Sequence, residues 1–118
     1  MTLKIQMDIM DLIRKYELKE IVMIIVVSKN TVKEEKVEEF KELTKELIKL
    51  SQEENGCIEY NLYKDLKNPN VLTFIEKWES KEAFEKHKNS EHFTSTVPKI
   101  KSFNEEGELT LYTIAHEE

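Results

Sequence analysis

Glu76, Trp78, His87, His92 and Phe93 are the side chains whose types and spacing can do chemistry in this sequence. Glu76 and Trp78 stand two apart, so on an extended strand they share a face, and the two histidines follow on a stretch expected to fold as a helix over that face. A carboxylate on an otherwise apolar strand face is costly unless partnered, and its pKa tends upward, which suits proton transfer. The same residue is also accounted for by a buried ion pair or hydrogen bond to a histidine or tyrosine. His87, as an imidazole titrating ordinarily at about 6.5, is the natural proton acceptor, or else an orienting or surface group. Trp78 is either core or a flat wall on which an aromatic ligand stacks. Tyr60 stands a step behind these, and Cys57, opening a strand after a turn, reads as a small buried hydrophobe rather than a nucleophile.

Other chemistries are excluded by what is missing. The chain has no Gly-rich phosphate loop, no paired-cysteine metal motif and no nucleophile with a neighbouring base and orienter. His87 and His92 are five apart, which on one helix leaves them far from a common face, so the zinc pair at spacing four is absent and no metal is expected. A net charge of -6 has the wrong sign for a protein gripping a phosphate backbone. Arg14 is the single arginine, so strong polyanion binding is not expected either. A lone cysteine among Lys- and Glu-rich segments points to a reducing compartment, the cytoplasm. Asp8, Asp11 and Arg14 interrupt the N-terminal segment, leaving no apolar run for a secretory signal or membrane span.

The elements that position these residues are legible in the hydrophobic pattern. Residues 6–19 place Ile9, Leu12, Ile13 and Tyr16 on one helical stripe, and residues 22–27 are a β-branched run with the look of a strand buried on both faces. Thr31 and Glu34 suggest a capping box for a long helix carrying Val37, Phe40, Leu43, Leu47 and Leu50 through about residue 52. Asn55 and Gly56 supply left-handed residues to stop it, and residues 57–64 alternate Ile58, Tyr60 and Leu62 against Glu59 and Asn61. The turn formers of 65–70 join this strand to a second one over 71–78 as a hairpin. Ser80 caps a helix carrying Ala83, Phe84 and His87. Ser90 caps a further turn with His92 and Phe93 before Pro98 bends the chain, and residues 108–115 close it as a strand.

Strand, helix, strand, strand, helix, strand is the order of a ferredoxin-like α+β domain, spanning 22–118 behind an N-terminal amphipathic helical extension at 1–21. Leu72, Phe74 and Trp78 occupy one face of the third strand and Val71, Thr73 and Ile75 the other, so both sheet faces call for burial although the domain has only one helix layer. The simplest cover is the same face of a second copy, giving a homodimer; the N-terminal helix folding over that face is the alternative.

Gly56, Cys57, Tyr60, Pro69, the run Glu76, Lys77, Trp78, then Ala83, Phe84, His87, Ser90, His92 and Phe93 together resemble the antibiotic biosynthesis monooxygenase family, closest to its quinol-monooxygenase-like branch. The likeness covers about residues 23–103. It implies a dimeric α+β barrel and oxygenation of a small phenolic, quinol or anthrone-like aromatic by molecular oxygen without metal or organic cofactor. His87, Trp78 and Glu76 are then the catalytic candidates, with Tyr60, Phe74, His92 and Phe93 shaping the substrate pocket. His87 would be the base or its orienter, and Glu76 and His92 would orient or relay protons. Related branches degrade haem with a strand Asn, a strand Trp and a helix His. Trp78 and His87 match that trio, but the first strand ends in Ser28, Lys29 and Asn30 without a clear Asn equivalent. Another branch processes a phosphorylated signalling molecule, which the shortage of arginine disfavours. A non-catalytic dimer binding a small ligand is the reading of a different class.

Overall fold

The computed structural model describes residues 23–116, and the amphipathic stretch expected at 6–19 lies outside them. Along the chain run β1 (Ile24–Val32), a 3-10 turn (Glu34–Lys36), α1 (Val37–Gln52), β2 (Cys57–Lys64), β3 (Val71–Trp78), α2 (Lys81–Lys88), α3 (Glu91–Lys101) and β4 (Asn104–Tyr112). The strands form one antiparallel sheet in the order β2-β3-β1-β4, the ferredoxin-like arrangement expected from the element order. Val26, Phe40, Leu47, Leu72, Phe74 and Trp78 are the centre of the core between helices and sheet.

Several local expectations change. Thr31 does not cap α1, because β1 runs on to Val32 and Thr31 stays in the ladder opposite Val71 and Glu106. The chain enters the helix through the 3-10 turn, with no side-chain cap. Among the described residues Gly56 alone takes positive φ, at 88°, so the left-handed step after α1 is made by glycine and not by Asn55. A bulge between Cys57 and Glu59 breaks the β2 alternation: Tyr60 turns to the core, while Ile58 is exposed.

Ser80 and Ser90 cap as expected, accepting from the backbone N–H of Ala83 and Phe93. Pro98 does not end α3, which continues to Lys101. The carbonyl that proline leaves without its donor belongs to exposed Thr94, where water can satisfy it. β4 begins four residues earlier than its alternation suggested. Asn104 to Gly107 are recruited by pairing with β1.

The two sheet faces differ as the β3 pattern implied. Leu72, Phe74, Glu76 and Trp78 are buried beneath the helices, while Thr73, Ile75 and Lys77 on the opposite face are half-buried. Ile25 and Val27 continue this half-buried apolar face on β1. On β4, Leu109 and Leu111 sit opposite Ser28 and Val26 and are 65% and 53% exposed. No helix among the described residues is long and apolar enough to cross a membrane.

Candidate functional site

Gly56 sets the local geometry. Its α-carbon lies so close to α2 that an added Cβ would stand 2.5 Å from Cβ of Ala83, and its carbonyl accepts from the N–H of Glu79 at 2.8 Å. This contact sets the turn after α1 against α2 and carries Glu54 to His87. The Nδ1 of His87 is 2.7 Å from Oε2 of Glu54. The same oxygen lies 2.6 Å from Nε2 of His92.

His87 and His92 therefore converge, contrary to the five-residue spacing argument. Five residues separate two faces only on one continuous helix, whereas the chain breaks at Asn89 and Ser90 and restarts as α3. The Ser90 hydroxyl ties the two helices by donating to the carbonyl of His87 at 2.7 Å while accepting from the N–H of Phe93. Glu54, His87 and His92 bring three donor atoms within 4.8 Å. Their N···O separations of 2.6 and 2.7 Å are hydrogen-bond lengths, short of the roughly 3.3 Å between neighbouring ligands on a tetrahedral ion with bonds of about 2.0 Å.

On the sheet side, Glu76 and Trp78 share the helix-facing surface of β3, and the indole N–H donates to Oε1 of Glu76 at 2.9 Å. That oxygen is 4.0 Å from Nε2 of His87, a buried nitrogen with no hydrogen-bond partner. Trp78 and His87 are both fully buried, with ring centres 4.5 Å apart. Tyr60 and Phe93 close around the imidazole at 5.2 and 5.1 Å.

A cavity of about 450 Å³ lies beside this cluster, between the sheet and helices α2 and α3. Its walls include Val26, Tyr60, Phe74, Phe84 and Phe93, and Glu76 is the buried carboxylate that reaches it. Phe74, Tyr60, Phe93 and Glu76 among the sequence candidates thus line the cavity. Trp78, His87 and His92 stand behind it. Asn30 also lines it, its Oδ1 held by the side-chain amide of Asn104 at 2.7 Å.

Burial lifts Glu76 from the usual 4.5 to about 7; the Trp78 N–H opposes the rise and the nearby Glu54 charge adds to it. Burial pushes His87 down, and Glu54 pulls it back. The Tyr60 phenol is pushed up by burial and by Glu76. Cys57 is raised to about 11 by burial and by Glu54 and Glu76, which keeps it a thiol, as a packing residue should be.

Glu54 was not singled out in the sequence, and Asn30 was named there only at the end of the first strand, without a site role. Glu54 sits in the run Glu53, Glu54, Asn55 at a helix end, where it reads like its exposed neighbour Glu53; the adjoining Gly56 was the one hint of a close approach.

A ferredoxin-like sheet with a buried carboxylate facing an aromatic cavity defines the protein class, and residues 23–99 match the antibiotic biosynthesis monooxygenase family; the chain belongs to that family. It is similar to an uncharacterised Synechocystis protein, 33% identical over 93 residues that make up 78% of this chain and 63% of the relative. The chain thus spans less than two thirds of that relative's length. YcnE of Bacillus subtilis, a monooxygenase candidate by name, is 33% identical over 79 residues, 67% of this chain and 83% of that one. The crystal structure of a conserved protein from Methanosarcina mazei Go1 superimposes with a TM-score of 0.75 at 38% identity, covering 81% of this chain and 96% of that one.

Proposed function

We propose that this protein is a cofactor-independent monooxygenase of the quinol-monooxygenase-like branch, oxidising a small phenolic, quinol or anthrone-like aromatic with molecular oxygen as a cytoplasmic homodimer. The observation that carries the reading is Glu76: a buried carboxylate, raised to about 7, facing a cavity whose aromatic walls of Tyr60, Phe74, Phe84 and Phe93 are joined by Lys and Glu side chains. A base of that strength is matched to neutral pH and takes the acidic proton of the ligand. The resulting electron-rich anion passes an electron to oxygen, the radical pair joins as a carbon-bound peroxide, and loss of water leaves a carbonyl. The protein's share is a base, a stacking surface and a dry enclosure. Phe74, Tyr60 and Phe93 supply walls, while Trp78 and His87 hold Glu76 from behind.

Oxygen uptake with a panel of quinols and anthrones tests this. The natural protein should consume oxygen, and Glu76→Gln should lower kcat by roughly a hundredfold or more. Uptake that is indifferent to Glu76 would sink the reading. The sealing of His87 and Trp78 away from the cavity favours one competing reading, a non-catalytic ligand-binding dimer. It predicts that the same aromatics raise the Tm without oxygen uptake.

The dimer is supported by the half-buried apolar face of Ile25, Val27 and Ile75, which exposed Tyr112, paired with Ile25, extends onto β4. Light scattering should give twice the chain mass at micromolar concentration, and a clean monomer there overturns the dimer.

A further inference from the structure

His87 is a histidine whose two nitrogens live in different worlds. Nδ1 faces the Glu54 carboxylate at 2.7 Å, and Nε2 is buried without a hydrogen-bond partner, 4.0 Å from Oε1 of Glu76. A carboxylate only accepts, so the imidazole proton belongs on Nδ1 and the lone pair on Nε2. Were Nε2 to carry a proton, it would face the Glu76 carboxylate across 4.0 Å and draw it into contact. Glu54 is in turn fixed by His92, which approaches the same oxygen at 2.6 Å from α3.

We propose that Glu54 is a tautomer lock: by accepting from Nδ1 of His87 it keeps the Nε2 lone pair turned toward Glu76, where it receives the hydrogen bond of the proton that Glu76 takes from the ligand. Glu54 touches neither ligand nor oxygen and is a positioning residue. The proton part of the inference rests on the monooxygenase reading; the tautomer part does not.

The step balances. The ligand O–H bond breaks, its electron pair stays on the ligand, and an O–H bond forms on Glu76 directed at Nε2. The proton later returns from Glu76 to the outer oxygen of the carbon-bound peroxide. The O–O bond and the C–H bond on that carbon then break, the outer oxygen leaves as water with the carbon's proton and the C–H electron pair forms the carbonyl, so the site gains and loses none over a cycle. The titratable groups facing His87 and Glu76 among the described residues are Cys57 and Tyr60 from β2, Glu54 from the turn after α1 and His92 from α3. None of them offers Nε2 a competing hydrogen bond.

The test is nitrogen-15 NMR of the histidines in the full chain, with carbon-13 detection of the Glu76 carboxyl across pH. In the natural protein Nε2 of His87 should resonate as an unprotonated imidazole nitrogen and Nδ1 as a protonated one. Glu54→Gln, whose amide can donate to Nδ1, should move the proton to Nε2. Nε2 then donates to the Glu76 carboxylate, whose titration midpoint falls by at least one pH unit. Glu54→Asp should retain the natural tautomer. A merely structural role for Glu54 would change stability and leave the tautomer alone. A protonated Nε2 in the natural neutral imidazole, or an unchanged tautomer in Glu54→Gln, overturns the lock, and both are read without substrate. In the active enzyme the acid limb of the kcat profile should follow the Glu76 midpoint downward in Glu54→Gln. A limb that stays put would refute the coupling to Glu76 even if the tautomer moves.

Discussion

Replacing Glu76 with glutamine should make the protein more stable at neutral and alkaline pH, with the gain disappearing in acid. The Glu76 carboxyl rises from 4.5 to about 7 on folding because burial disfavours its charge. Below pH 4.5 both the folded and unfolded chains hold this proton, and a glutamine differs little from the neutral acid. Between 4.5 and about 7 the unfolded chain releases the proton while the folded chain keeps it, so this group's contribution to stability falls as pH rises. Above 7 the loss is complete. At about 1.4 kcal/mol for each tenfold difference in proton affinity, a rise from 4.5 to about 7 corresponds to about 3 kcal/mol. Glutamine escapes this loss and keeps an oxygen to accept from Trp78 N–H. Urea unfolding followed by the fluorescence of Trp78, the single tryptophan, at matched protein concentration, gives the comparison. The stability advantage of Glu76→Gln should grow by about 3 kcal/mol between pH 4.5 and 8. An advantage constant to within about 0.5 kcal/mol over that range would refute the assignment of Glu76 as a buried, strained carboxylate.

Trp78→Phe removes the N–H that holds Glu76 down, so its carboxyl midpoint, read by carbon-13 NMR, should move above 7 and the acid limb of the activity profile should follow it upward. Gly56→Ala combines a φ of 88° with a 2.5 Å approach to Cβ of Ala83 and should cost about 2 kcal/mol or more by chemical denaturation. The same change should loosen Glu54 from His87, visible as a shift of the histidine resonances. Ser80→Ala deletes the hydroxyl that accepts from Ala83 N–H and should cost about 1 kcal/mol in the same assay, with little effect on the Glu76 midpoint.

Hydrophobic periodicity carried most of the fold. Alternation along residues 71–78 and the helical repeat from Val37 to Leu50 are local consequences of strand and helix geometry, so those elements and their buried faces could be read directly. Where a neighbouring strand or a chain break decided the outcome, local reading failed. Thr31 remained in the β1 ladder, β4 began at Asn104 because β1 offered it partners, and Pro98 was absorbed into α3.

For the site, residue types alone picked out Glu76, Trp78, His87, His92, Tyr60, Phe74 and Phe93, since a carboxylate and an indole two apart on a strand must share a face. Which of them reach the cavity was decided only by the tertiary structure. Packing of α2 and α3 on the sheet seals Trp78 and His87 and leaves Glu76 open to the cavity. Glu54, 33 residues from His87 and 38 from His92, was invisible beforehand. Nothing local separates an acid that will meet two imidazoles from an acid in water. That difference arises when Gly56, lacking a side chain, lets the turn after α1 close on α2.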